Sequence, residues 1–91
     1  MIKSWRHKGL RDLFESGHSA KVAPSLQKRI MVRLDAIDAA TALRQLDRPG
    51  YSFHRLRGQP VRYTIHVNGP WCLTFGWDRS GAIEVDLEQY H

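Results

Sequence analysis

Apolar residues along this chain keep three different rhythms, a brief alternation, then a helical period, then a strict period of two. Residues 2 to 6 alternate (Ile2, Lys3, Ser4, Trp5, Arg6) and predict a short N-terminal strand. From Lys8 onward Leu10, Leu13 and Phe14 recur at helical spacing, with Arg11, Asp12 and Glu15 on the other side and Ser16-Gly17 as a stop. After a polar linker through Lys21, Pro24 suits a first helical position, and Leu26, Ile30, Leu34 and Ile37 follow at steps of 4, 4 and 3. A longer helix is predicted from about Pro24 to about Ala40, with Lys28, Arg29 and Arg33 on its solvent side. Thr41 to Leu46 adds a further helical turn before the Asp47-Arg48-Pro49-Gly50 breaker.

Beyond Gly50 side chains alternate as on strands. Tyr51 and Phe53 alternate with Ser52 and His54, and Tyr63, Ile65 and Val67 with Arg62, Thr64 and His66. Trp71, Leu73, Phe75 and Trp77 share one face against Cys72, Thr74 and Gly76, and Ile83, Val85 and Leu87 alternate with Glu84, Asp86 and Glu88. Turns at Asn68-Gly69-Pro70 and Asp78-Arg79-Ser80-Gly81 make the last three strands an antiparallel meander. Helices first and hairpins after predict an α+β fold, two helices on an antiparallel sheet of about four strands. An uninterrupted register places His54, Arg62, Thr64, His66, Cys72, Thr74, Glu84 and Asp86 on the polar face of that sheet.

The size fits one domain over residues 1–91, and 42% hydrophobic with 25% charged residues excludes a disordered polyelectrolyte. Fourteen Lys and Arg against nine Asp and Glu leave +5, which on so small a surface points to a polyanionic partner such as nucleic acid. A single cysteine, Cys72, allows no internal disulfide, and no apolar run approaches the roughly 20 residues of a membrane span. The expectation is a soluble, cytoplasmic protein with no membrane association.

The five histidines are scattered with no i, i+4 pair, and the seven glycines form no phosphate-binding loop, so neither a metal nor another cofactor is expected. No Gly-x-Ser-x-Gly elbow is present. Two segments remain, Phe53-His54-Arg55-Leu56-Arg57-Gly58 and the terminal Glu88-Gln89-Tyr90-His91. Cutting RNA without a metal needs a base for the 2′-hydroxyl proton, cations for the charge growing on the phosphate, and an acid for the departing 5′-oxygen. His, Tyr and Arg supply those parts. They equally suit a satisfied strand histidine, arginines solvating a strand end and a frayed terminus. The basic helix face is open in the same way, as a solvated surface or a phosphate-tracking patch.

At these segments the chain resembles toxins of the HigB type, within the RelE/ParE superfamily of toxin–antitoxin systems. The resemblance runs from residues 1–10 (Met-Ile-Lys-Ser-Trp-Arg-His-Lys-Gly-Leu) through the helix end at residues 34–41 and the segment Phe53 to Gly58. It continues through Val67-Asn68-Gly69-Pro70-Trp71-Cys72-Leu73-Thr74-Phe75 to Tyr90-His91. It implies a RelE-like fold and a metal-independent endoribonuclease that enters the ribosomal A site and cuts the codon exposed there. It also implies a HigA-like helix-turn-helix antitoxin as partner, with operator DNA bound only through the toxin–antitoxin complex. By position, His54 matches the motif histidine, Arg57 stands where many members have Lys, and Tyr90 and His91 match the functional terminal pair. Lys28, Arg29, Arg33, Arg55 and Arg62 are the candidate RNA contacts.

Two positions depart from the family pattern. Trp71-Cys72-Leu73-Thr74-Phe75 carries cysteine where the family has arginine, and Gln89 replaces the acidic residue usual before Tyr-His, with Glu88 adjacent on the opposite parity. Losing such a transition-state contact typically costs about 10²–10³ in rate, which implies an attenuated nuclease. The alternatives are a catalytically impaired module that binds antitoxin and regulates its operon, and a ParE-like gyrase inhibitor, against which the His54 segment and the Tyr90-His91 terminus argue.

Overall fold

The structure, a computed structural model, describes residues 1–79 and 81–89. Its elements are α1 (Lys8–Ser16), α2 (Pro24–Ala39), a 3-10 turn (Leu43–Leu46), β1 (His54–Arg55), β2 (Tyr63–Asn68), β3 (Trp71–Asp78) and β4 (Gly81–Gln89). The helix α1 starts where the His7 Nδ1 accepts the Leu10 N–H at 3.1 Å, and it stops at Gly17, whose φ of 80° suits glycine and whose N–H donates to the Leu13 carbonyl. Pro24 opens α2, a position where its missing N–H costs nothing.

The four strands form one antiparallel sheet in the order β1-β2-β3-β4. Both helices cover one face of it. Leu10, Leu13, Val22, Ile30, Leu34 and Ile37 meet Ile65, Val67, Leu73, Phe75, Ala82 and Val85 in a core where each is at most 1% exposed. Burying a large apolar side chain of this kind contributes about 1.5–3 kcal/mol, so this face decides stability.

Three expectations are corrected. The N-terminal strand is reduced to two isolated parallel bridges along β4, Ile2 to Ala82 and Trp5 to Val85. The strand predicted from Tyr51 shrinks to His54–Arg55, because Ser52 adopts a left-handed φ of 47° that breaks the extension. The third concerns β4, where the register shifts between Thr74↔Asp86 and Gly76↔Ile83, so that a bulge with Glu84 at φ 52° flips the parity. Ala82 and Val85 therefore fill the core, while Ile83 leaves it for the face opposite, across from Gly76. Gly76 makes this possible, since a Cβ there would stand 2.9 Å from Ile83 Cγ1.

The short β1 leaves part of the β2 edge without a strand partner. The Tyr51 carbonyl accepts the His66 N–H at 2.6 Å, and Arg33 Nε donates to the His66 carbonyl, also at 2.6 Å. Arg29 Nη1 reaches the Val67 carbonyl at 3.4 Å, and the Arg33 guanidinium lies 4.6 Å from the centre of the Tyr51 ring. Backbone groups that a longer β1 would have paired are satisfied by arginine and loop instead. Burial lowers the pKa of Arg33 from the usual arginine value, with Tyr51 opposing the shift and Arg29 adding to it.

Candidate active site

The sheet face turned away from the helices gathers most of the polar residues that the sequence singles out. Across the strands the register sets His66 beside Cys72 and Cys72 beside Glu88, and one row further on it sets His54 beside Thr64, Thr64 beside Thr74 and Thr74 beside Asp86. Residues paired in register share a face, so His54, Cys72 and Glu88 look out on the same side.

His54 is exposed, and its Nδ1–H donates to the Ser52 carbonyl at 2.8 Å. A carbonyl can only accept, so this bond fixes the proton on Nδ1 in the neutral ring and leaves Nε2 as the nitrogen able to take or return a proton. Ser52, whose left-handed φ removes the start of the predicted strand, is itself the residue that supplies that carbonyl. His66 is held in the opposite sense, its Nε2–H donating to the Gly69 carbonyl at 2.9 Å.

A line of side-chain hydrogen bonds crosses the same face. Arg62 Nη2 donates to Thr74 Oγ1 at 3.1 Å and to the Glu84 carbonyl at 2.9 Å, and Thr74 Oγ1 in turn donates to Glu88 Oε2. Thr74 is fully buried and Thr64 nearly so. The Arg62 guanidinium thus reaches from the entry of β2 to β4. The carboxylates on this face include Asp86 and Glu88, whereas Gln89 pairs with Trp71 and belongs to the other parity. Thr74 and Glu88 lie inside segments the sequence marks, Trp71–Phe75 and Glu88–His91, but strand parity is the signal that puts the two on one face.

The remaining candidates are dispersed. Arg57 lies in the loop after β1, and Arg55, exposed, pairs with Tyr63 on the helix-side parity. Lys28, Arg29 and Arg33 sit on α2, across the sheet from His54, with Lys28 exposed and the two arginines bonded to the end of β2. Tyr90 and His91 lie outside the described residues, as does Ser80 of the predicted Asp78–Gly81 turn. Among the described residues no three His, Cys, Asp or Glu side chains gather as metal ligands, and no helix is long and apolar enough to cross a membrane.

The chain matches the family model for the RelE-like toxin of the type II toxin–antitoxin system HigB over residues 3–91. It is 41% identical over 92 residues to a protein of Proteus vulgaris named Endoribonuclease HigB, with the whole of each chain covered. With its two helices on an antiparallel four-stranded sheet, the chain belongs to the HigB-like family of RelE-like toxins from type II toxin–antitoxin systems.

Proposed function

We propose that this one-domain toxin is an endoribonuclease that cuts mRNA in the ribosomal A site without a metal ion, at a rate attenuated by Cys72 and Gln89. The observation that carries the reading is His54, exposed on the open sheet face with Nδ1 committed to Ser52, which leaves Nε2 as the nitrogen able to exchange a proton. The endoribonuclease name of the Proteus vulgaris relative supports it over the full chain length.

In this reading His54 moves a proton, and Tyr90 and His91 complete the acid–base set, as the family resemblance implies. Arg57 meets the charge growing on the scissile phosphate, and Arg62, Arg55, Lys28, Arg29 and Arg33 are the further RNA contacts, the three on α2 reaching phosphates away from the cut from the other side of the sheet. Arginine at position 72 would lie between His66 and Glu88 in register, at the centre of the face; cysteine leaves that place without a cation. The ribosome presents the codon, so a small open face suffices. A type II toxin implies an antitoxin partner. Here that partner is a HigA-like helix-turn-helix protein, operator DNA is bound only through the complex, and the site of action is the cytoplasm.

The test is primer-extension mapping of an mRNA in a reconstituted translation reaction, set against the same mRNA free in solution. Translation-dependent cuts that strengthen with Cys72→Arg and vanish with His54→Ala are expected. Equal cutting of free RNA would overturn the ribosome dependence. Silence from both the chain and Cys72→Arg, with antitoxin binding retained, would favour a regulatory module that has lost its chemistry.

A further inference from the structure

Opening RNA at a 2′-hydroxyl requires a proton acceptor at O2′ and a proton donor at O5′, and the in-line geometry of displacement puts these oxygens on opposite sides of the phosphorus. A one-sided cluster cannot serve both. The open face of this sheet is laid out in that manner: His54 stands on β1 at one side, Glu88 on β4 at the other, with Cys72 and Thr74 of β3 between them. Three strand spacings, about 14 Å, separate the backbones of β1 and β4.

Glu88 is also held by another side chain of this face. Its Oε2 accepts a hydrogen bond from Thr74 Oγ1, and Thr74, fully buried, is fixed in turn by the Arg62 guanidinium. Two residues, from the entry of β2 and from β3, act in series on a single carboxylate of β4. A buried threonine needs no such arrangement merely to fill space, since valine has almost the same shape. Gln89, on the opposite parity, does not compete for this role.

We propose that Glu88 is the proton-accepting carboxylate of this site, with Thr74 and Arg62 as its positioning residues; the inference rests on the endoribonuclease reading. The 2′-hydroxyl proton passes to the Glu88 carboxylate while the O2′–P bond forms. The P–O5′ bond breaks, and O5′ takes the proton from Nε2 of the His54 imidazolium, whose Nδ1–H stays with Ser52. A 2′,3′-cyclic phosphate and a 5′-hydroxyl end result. Glu88 then returns its proton to solvent and His54 regains one.

The test measures single-turnover cleavage on ribosomes programmed with an A-site codon, in this chain and in Cys72→Arg. Glu88→Gln keeps an oxygen to accept from Thr74 and removes the base, so the saturating rate should fall by about 10² or more with half-saturation unchanged. Thr74→Val should lower the same rate by about 10- to 100-fold while thermal unfolding stays two-state, and Thr74→Ser should restore it. Thr74→Val added to Glu88→Gln should cost nothing further, because the two act through one carboxylate. Normal cutting by Glu88→Gln, additive losses in the double variant, or a failure of Thr74→Ser to restore what Thr74→Val removes would each overturn the inference while leaving the nuclease reading intact. If neither parent form cuts translated mRNA, the nuclease reading falls, and the inference with it.

Discussion

The two faces of the sheet are built from the same strands and answer to different constraints. On the helix side Ile65, Val67, Leu73, Phe75, Ala82 and Val85 are sealed from solvent, and the tolerance for change there is set by packing density. On the open side His54, Cys72, Thr74 and Glu88 are arranged by register and hydrogen bonding, and there the tolerance is set by chemistry. The bulge at Glu84 connects the two demands. It keeps Val85 in the core while Asp86 and Glu88 stay on the open face, and it moves Ile83 out of the core in exchange for the smaller Ala82. Stability and function are thus separable here by strand parity, and substitutions on the two faces should fail in different ways.

The sharpest separation sets a core residue of β3 against the histidine of β1. Phe75→Ala should cost about 3–5 kcal/mol in chemical denaturation, since the ring is fully buried and the cavity cannot collapse. His54→Ala should leave stability within about 0.5 kcal/mol and lower cleavage by about 10²–10⁴, as read by primer extension. A large loss of stability in that variant would place His54 with the structural residues and break the division. Cys72→Arg runs in the other direction, with a gain in cleavage of about 10²–10³ from a cation set between His66 and Glu88.

Two smaller effects concern the basic helix. Arg33→Met should destabilise by roughly 1.5–3 kcal/mol, because it removes a charged donor from the His66 carbonyl and the contact with Tyr51. Lys28→Gln should leave stability unchanged and reduce the salt dependence of ribosome binding by about one phosphate contact, measured as the slope of log affinity against log salt. If Arg33→Met weakens RNA binding and spares stability, α2 is a phosphate surface first and a brace for β2 second.

Much of this division is legible in the sequence. The steps between Leu26, Ile30, Leu34 and Ile37 mark the buried stripe of α2, and the alternation through Trp71–Trp77 marks the two faces of β3. Both signals are strong because each repeats over several residues. The bulge in β4 escaped the alternation of Ile83, Val85 and Leu87, which reads as one unbroken face. A signal for it did exist in the facing strand, where Gly76 sits inside an otherwise bulky run, since glycine in a strand often marks a bulge or a close approach. The edge role of Arg29 and Arg33 had no local signature at all. It depends on β1 being two residues long, which follows from the turn at Ser52.

By itself the sequence determined the order and type of the elements, the basic surface, and the residue types available for proton transfer at His54, because these depend on neighbours along the chain. Tertiary structure decided which of those residues meet. It put His54 and Glu88, 34 positions apart in sequence, on one face with Thr74 between their strands, and it carried Lys28 to the other side of the sheet. Strand pairing is a long-range choice, fixed by one cooperative register in which a single extra residue at Glu84 reassigns everything before it.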